Sequence, residues 1–242
     1  MTQPSRYAVY LAPPPTSALW RFGCDVLGRD AATGEPVWGF ATAGIDAECW
    51  RALTAEPRRY GFHATLKAPF RLREGRTPAE LEASIAALAA EVDTFDLGAL
   101  RASLLKSDEV GFVALTPTAR SDELAALESR ALRELDAFRA PPSESEIARR
   151  RPDRLSERQR AYLATWGYPH VLEEFRLHFT LSGAVASPEA LRSRLAEDYA
   201  REVADPNFAV DAVVLFEQAE GEAFRIRRRF PLGRRIKGSA IL

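Results

Sequence analysis

The sequence predicts an α+β fold of two related lobes, each a mostly antiparallel sheet with helices packed on it. Three observations carry that prediction. Apolar residues recur at helical spacing in three capped segments and with a period of two in others. The order strand, helix, strand, turn, strand occurs twice. Thr77 to Gly111 spans 34 residues, and so does Ser187 to Gly221.

The elements follow in chain order. Arg6–Leu11, rich in Tyr and Val, reads as a short strand. Ser17–Leu27 and Asp46–Leu53 read as weaker helices. Arg59–Phe70 has strand parity: Arg59, Gly61, His63, Thr65 and Lys67 share one face, while Phe62, Ala64 and Leu66 share the other. Thr77-Pro78-Ala79-Glu80 is a capping box with Pro at the first helical position, and Leu81, Ile85, Leu88 and Val92 follow at helical spacing. A strand near Leu100, a turn at Gly111 and a strand over Phe112–Leu115 complete the first unit. A second helix spans Ser121 to Arg139, with Leu124, Leu127, Leu132, Leu135 and Phe138 on one side. Phe175–Leu181 alternates cleanly, with Arg176, His178, Thr180 and Ser182 on its polar face. The third helix opens at Ser187-Pro188-Glu189 and turns Leu191, Leu195, Tyr199 and Val203 inward. Phe208–Phe216 and Phe224–Phe230 are strands, joined by a turn over Glu217–Glu222 that holds Gly221.

The expected organisation is one bilobal domain over residues 1–242. Segments 55–118 and 171–232 form the lobes, and 121–168 is a helical, Arg-rich insertion. Within it, Pro141-Pro142 marks a hinge or loop. It carries Arg149, Arg150, Arg151, Arg154, Arg158 and Arg160, offset only by Asp153 and Glu157. An extra substrate phosphate or a solvated face would both suit that cluster.

Composition bounds the function. The 242 residues are 46% hydrophobic and 28% charged, enough for a buried core and against disorder. The net charge of -1 argues against a DNA-coating protein and makes RNA a less favoured partner. Of the 33 basic residues only Lys67, Lys106 and Lys237 are lysines, an arginine bias that suits a GC-rich genome and says nothing of function. Cys24 and Cys49 make neither a disulfide framework nor a CxxC pair. The start of the chain has no basic-then-apolar leader, and no apolar run approaches the roughly 20 residues that span a bilayer. A cytoplasmic location is expected.

The chemistry lies in the histidines. The chain has three, His63, His170 and His178, and two of them sit in His-x-Thr-Leu. Such a coincidence arises by chance in roughly one chain in two hundred, so it directs the reading. On a strand, His and the residue two along point the same way, roughly 6.5–7 Å apart, while the Leu turns to the buried face. Two such strands facing one another would bring two imidazoles and two hydroxyls together. One imidazole can take a proton from an attacking oxygen and the other can protonate a leaving oxygen. Thr65 and Thr180 can hydrogen-bond non-bridging phosphate oxygens. Lys67 shares the face of His63 and is a further phosphate candidate, as are Arg59 and Arg176 on the two motif faces.

The paired motifs resemble the 2H phosphoesterase superfamily. The flanks Arg59-Tyr-Gly-Phe-His-Ala-Thr-Leu-Lys-Ala-Pro-Phe70 and Trp166–Leu181 are similar to its phosphonate metabolism branch, as are Arg6–Tyr10 and the Arg-rich stretch. The resemblance covers nearly the whole chain. It implies two pseudo-symmetric lobes around a central cleft, with His63 and His178 catalytic and Thr65 and Thr180 on the phosphate. It further implies no metal or cofactor and a small phosphorylated substrate such as a ribose cyclic phosphate. His170 stands where that branch pattern has Tyr, so no role passes to it.

The favoured expectation is therefore a metal-independent cyclic phosphodiesterase. RNA-end 2′,3′-cyclic phosphate processing or ligation is the enzymatic alternative, and a non-catalytic phosphate-binding module is the other. HExxH, GxGxxG and GxxxxGK[ST] are all absent from the sequence, which argues against zinc hydrolysis, dinucleotides and nucleoside triphosphates.

Overall fold

The computed structural model describes residues 5–37, 40, 44–107, 110–185 and 188–233. In chain order these form β1 (Arg6–Leu11), α1 (Ala18–Leu27), α2 (Ala47–Leu53), α3 (Ala55–Tyr60), β2 (Ala64–Arg71), α4 (Pro78–Ala90), β3 (Phe95–Ser107) and β4 (Val110–Pro117). Then follow α5 (Asp122–Glu134), α6 (Glu144–Ala148), α7 (Glu157–Trp166), β5 (Phe179–Thr180), α8 (Pro188–Glu202), β6 (Asn207–Val210), β7 (Ala212–Gln218) and β8 (Arg225–Pro231). Ser187, the expected cap of α8, lies outside the described residues.

All described strand pairs are antiparallel, and the order across the sheet is β6-β3-β4-β5-β2-β1-β7-β8. The class is α+β, as the sequence predicts. Only Asp211 separates β6 from β7, yet these strands belong to opposite halves of the order. One intervening residue cannot span a flat sheet of that width at roughly 4.8 Å per strand, so the sheet curls. The single strand expected over Phe208–Phe216 is thus two strands meeting at a corner.

The helices form where their caps predict. The Thr77 hydroxyl accepts from the Glu80 amide at 3.2 Å, and the Glu80 carboxylate accepts from the Thr77 amide at 2.8 Å. Leu81, Ile85 and Leu88 are buried where α4 packs on β7 and β8, each worth about 1.5–3 kcal/mol. Helix α8 buries Leu191, Leu195 and Tyr199 against β3 and β4. Helix α5 lies on β2 and ends at Glu134, so the predicted helix to Arg139 closes as a short 3₁₀ turn at Asp136–Phe138. Glu128, on α5, is buried and accepts a hydrogen bond from the Leu172 amide at 3.2 Å. Burial pushes its carboxyl up to about 7. Leu172 holds a left-handed φ of 55°, so this bond pins a strained turn just ahead of Arg176 and His178.

The lobe boundaries need correction. Segment 55–118 supplies β2 to one side of the sheet centre and β3 and β4 to the other. Segment 171–232 is divided in the same way, with β5 and β6 on one side and β7 and β8 on the other. Neither segment builds a lobe alone, because the chain crosses to the other half of the sheet between β2 and β3 and again between β6 and β7.

Two predicted strands are also shorter than their alternation suggests. Arg59 and Tyr60 close α3, and β2 begins only at Ala64. The left-handed Gly61, with φ 79°, breaks the chain between them. In the second motif only Phe179–Thr180 enter the sheet; a 3₁₀ turn at Leu172–Glu174 holds the preceding residues off it.

Candidate active site

The two motif strands are neighbours at the sheet centre. Ala64 pairs with Phe179, and both side chains are fully buried. Carried one residue to either side, this antiparallel register sets Thr65 across from His178 and His63 across from Thr180. The side-chain period of two then sends all four to the face opposite Ala64 and Phe179. The four are corners of one patch around a single residue pair. The sequence predicts this convergence; the register that creates it is a property of the fold.

Each histidine is fixed by the same local device. His63 Nδ1 lies 2.9 Å from the Gly61 carbonyl, and His178 Nδ1 lies 2.8 Å from the Arg176 carbonyl. A carbonyl only accepts, so Nδ1 carries the proton in both neutral rings and both present a bare Nε2. His63 Nε2 sits 3.3 Å from the Thr65 hydroxyl, placed to accept its hydrogen. The carbonyl belongs in each case to the residue two positions earlier, so the two motifs share one local arrangement.

Beneath His63 lies Tyr10, fully buried, its ring stacked at 3.7 Å between centroids and 22°. Tyr10 pairs with Thr65 across β1 and β2. It acts as a platform that fixes the plane of the imidazole. His178 has Phe112 at 5.8 Å in a tilted contact. Burial pushes the His63 pKa down to about 4, against the pull of the Gly61 carbonyl and aided by the charge of His178. Burial also lowers His178, against its Arg176 carbonyl bond. With both values below the ordinary imidazole value of about 6.5, both rings are neutral at pH 7 in the free protein.

A cavity of about 760 Å³ opens on this patch. Thr65, His178, Phe112, Tyr168, His170, Phe175 and Arg176 line it. Of the four motif side chains, Thr65 and His178 line it, while His63 is half-buried. Arg176 is exposed, and its guanidinium donates to the carbonyls of Glu173 and Phe175 at 3.0 and 2.7 Å. It therefore stands at the cavity with part of its donor fork already used on its own backbone.

Two candidates belong elsewhere. Lys67 is 3% exposed, and its ammonium donates to Asp136 at 3.0 Å and to the Leu132 carbonyl at 3.1 Å. Strand parity places it on the site face, but α5 covers that end of the strand and draws the amine to its own C-terminus, where a cation is favoured. Lys67→Met is expected to cost about 2–3 kcal/mol in chemical denaturation while kcat/KM stays within about twofold. A fifty-fold loss in kcat/KM would return Lys67 to the phosphate. Arg59 is exposed in the last turn of α3 and lines, with Arg6, Arg71 and Arg139, a neighbouring cavity that shares Arg149 and Arg150 with the first.

Sequence reasoning missed Gly61. Its φ of 79° and ψ of 176° lie in a region open essentially to glycine alone. A Cβ there would stand 2.5 Å from the Ala31 Cβ. Gly61→Ala is expected to swing the carbonyl that sets the His63 tautomer, lowering kcat about 10–100-fold with KM little changed; unchanged kcat would mean that the carbonyl does not position the ring. The glycine between the helix α3 and the strand β2 was the available signal. Tyr10 had no such signal, because its place depends on the long-range pairing of β1 with β2.

Among the described residues, no three His, Cys, Asp or Glu side chains converge to hold a metal ion. No described helix is long and apolar enough to cross a membrane.

One family model matches residues 65–225, well over half of the chain. The chain belongs to this family, described as Protein of unknown function (DUF1045). The DUF1045 match takes in Thr65, His178 and Thr180 and starts just after His63. A curated relative, ribose 1,5-bisphosphate phosphokinase PhnN of Janthinobacterium sp. (strain Marseille), is 37% identical over 94% of this chain. The DUF1045 chain spans about half of that relative, 51% of its length. Among solved structures, E. coli LigT complexed with 3′-AMP is 15% identical with a TM-score of 0.43, over 96% of this chain and 100% of LigT. A crystal structure described as a phosphoesterase is 17% identical with a TM-score of 0.42, over the same shares. These two likenesses decide nothing about the reaction of the DUF1045 chain.

Proposed function

We propose that the chain is a metal-independent phosphodiesterase that opens a small cyclic phosphodiester of the ribose cyclic phosphate type. The observation that carries this reading is the Ala64–Phe179 register, which gathers two Nε2 atoms and two threonine hydroxyls on one face. One imidazole takes the proton of water as its oxygen bonds to phosphorus. The other, protonated, gives its proton to the ester oxygen as the P–O bond breaks. The product is a phosphomonoester, and the two rings end with their protonation states exchanged. Thr65 and Thr180 donate to the non-bridging oxygens, where charge builds in the transition state.

The sequence resemblance to the phosphonate branch of the 2H phosphoesterases supports this reading. The name of the relatives refers to a phosphorylated ribose, which supports a ribose-based substrate. Their phosphokinase activity is not carried over, since this chain has no GxxxxGK[ST] loop to cradle a triphosphate.

The test is a phosphorus NMR screen of cyclic phosphates of sugars, nucleosides and oligonucleotides, with and without EDTA. The expected result is ring opening of a small cyclic diester to a monoester, unaffected by chelator. Inhibition by EDTA that added metal reverses would instead indicate a metallohydrolase. Turnover confined to oligonucleotides would shift the reading to RNA ends.

A further inference from the structure

One wall of the cavity is unlike the rest. Arg149, Arg150, Arg151 and Arg154 line it together with Thr65 and His178. All four are exposed and come from one short stretch, the end of α6 and the turn that follows. Among the described residues of the lining, the carboxylate set against them is Glu174, whose Oε2 accepts from Gln159 at 3.0 Å. A cyclic phosphodiester carries one negative charge, and the imidazoles and hydroxyls already address it. The arginine wall exceeds what that charge needs.

The wall is also held in place. A capping box joins Ser143 and Glu146 at the start of α6. Glu146 is ion-paired with Arg71 at the end of β2, the strand that carries Thr65. Arg151 adopts a left-handed φ of 47°, a strained conformation for a residue with a side chain, and this turns the chain so that Arg154 meets the same cavity. Arg150 lies over the Tyr168 ring, 4.7 Å from its centroid; among the described residues it has a π-face and not a carboxylate as its partner. That contact orients the guanidinium and leaves its in-plane N–H donors for an anion.

We propose that this wall is a second anion subsite, and that the substrate is a sugar cyclic phosphodiester bearing a separate terminal phosphomonoester. The proposal rests on the phosphodiesterase reading and names its substrate class. Guanidinium forks match the oxygens of a phosphomonoester dianion, whereas a diester offers less charge and fewer free oxygens. The cavity volume lies in the upper range for small-molecule sites, with room for a sugar and two phosphates.

The test uses product-like ligands, so that turnover does not intervene. Binding of ribulose 1,5-bisphosphate and of ribose 5-phosphate to the wild-type protein is measured by calorimetry at low and high salt. The bisphosphate is expected to bind about 100-fold more tightly at low salt, two charge-assisted contacts at about tenfold each. The variant Arg149→Gln/Arg150→Gln/Arg154→Gln is expected to bind both within about threefold of each other, because these exposed side chains supply the second grip. Equal affinities in the wild type, full discrimination in the triple variant, or no binding of either sugar at about 10 mM each overturns the proposal. An RNA dinucleotide ending in a 3′-phosphate that matches the bisphosphate also overturns it, in favour of a strand-binding wall. Absence of phosphodiester turnover with the binding difference intact would remove the reaction and leave the subsite standing.

Discussion

His63→Gln and His178→Gln are each expected to lower kcat by about 10²- to 10⁴-fold, the usual share of a general acid or base. Glutamine keeps a polar end but cannot pass a proton at neutral pH. Both substitutions leave the buried partners of the strand pair, Ala64 and Phe179, untouched. The thermal midpoint should therefore move by only a few degrees. At His63 the change even removes a ring that resists protonation because it is buried. The double variant should be little worse than the worse single variant, since the two rings act as a unit. Steady-state kinetics with circular dichroism on all three proteins checks this. Full activity in both single variants would remove the mechanism.

The pH dependence follows from the lowered imidazole values. In the proposed mechanism, turnover needs one neutral ring and one protonated ring. In the free protein both values lie below 6.5, with His63 at about 4, chiefly through burial. The singly protonated form therefore becomes scarcer as pH rises through neutrality, and kcat/KM should fall tenfold per pH unit on that limb. The kcat/KM optimum is expected below pH 6.5. The alkaline limb of kcat should lie higher, because a bound phosphate anion stabilises the imidazolium. A kcat/KM maximum above pH 8 would contradict this account.

Stability adds a second pH effect. The unfolded chain binds protons on these histidines near pH 6.5, before the folded state does. The histidine contribution is thus intact above 6.5 and is lost as pH falls toward about 4. Glu128 acts in the opposite sense. Its folded value of about 7 lies above its ordinary 4.5, so its contribution is fully present below 4.5 and lost as pH rises through 7. In urea titrations the stability difference between the wild type and His63→Gln should be constant above pH 6.5 and change as pH falls below it.

Local signals in the sequence were read with success where the physics is local. Thr77, Pro78 and Glu80 mark the start of α4 because a cap needs only neighbours. The His-x-Thr repeats are legible as two side chains on one face because strand parity is local too. Pairing is not local. Nothing near Tyr10 says that it will lie beneath His63, and nothing near Lys67 says that α5 will cover it. Asp211 shows the same limit: nothing in the run from Phe208 to Phe216 reveals that the chain turns a corner there. The Phe175–Leu181 alternation was real, since Leu177, Phe179 and Leu181 are buried, but burial alone does not place a segment in a ladder.

The interleaved strand order also bears on how the molecule comes into being. During synthesis β2 emerges long before β5, its partner at the centre. Until then its inner edge has no mate, and the β3–β4 hairpin lacks the strand that joins it to the rest. Neither half of the polypeptide, produced alone, can bring the two His-x-Thr segments together. Fragment complementation would have to restore both exchanged hairpins at once, so function and folding are tied to the same late event.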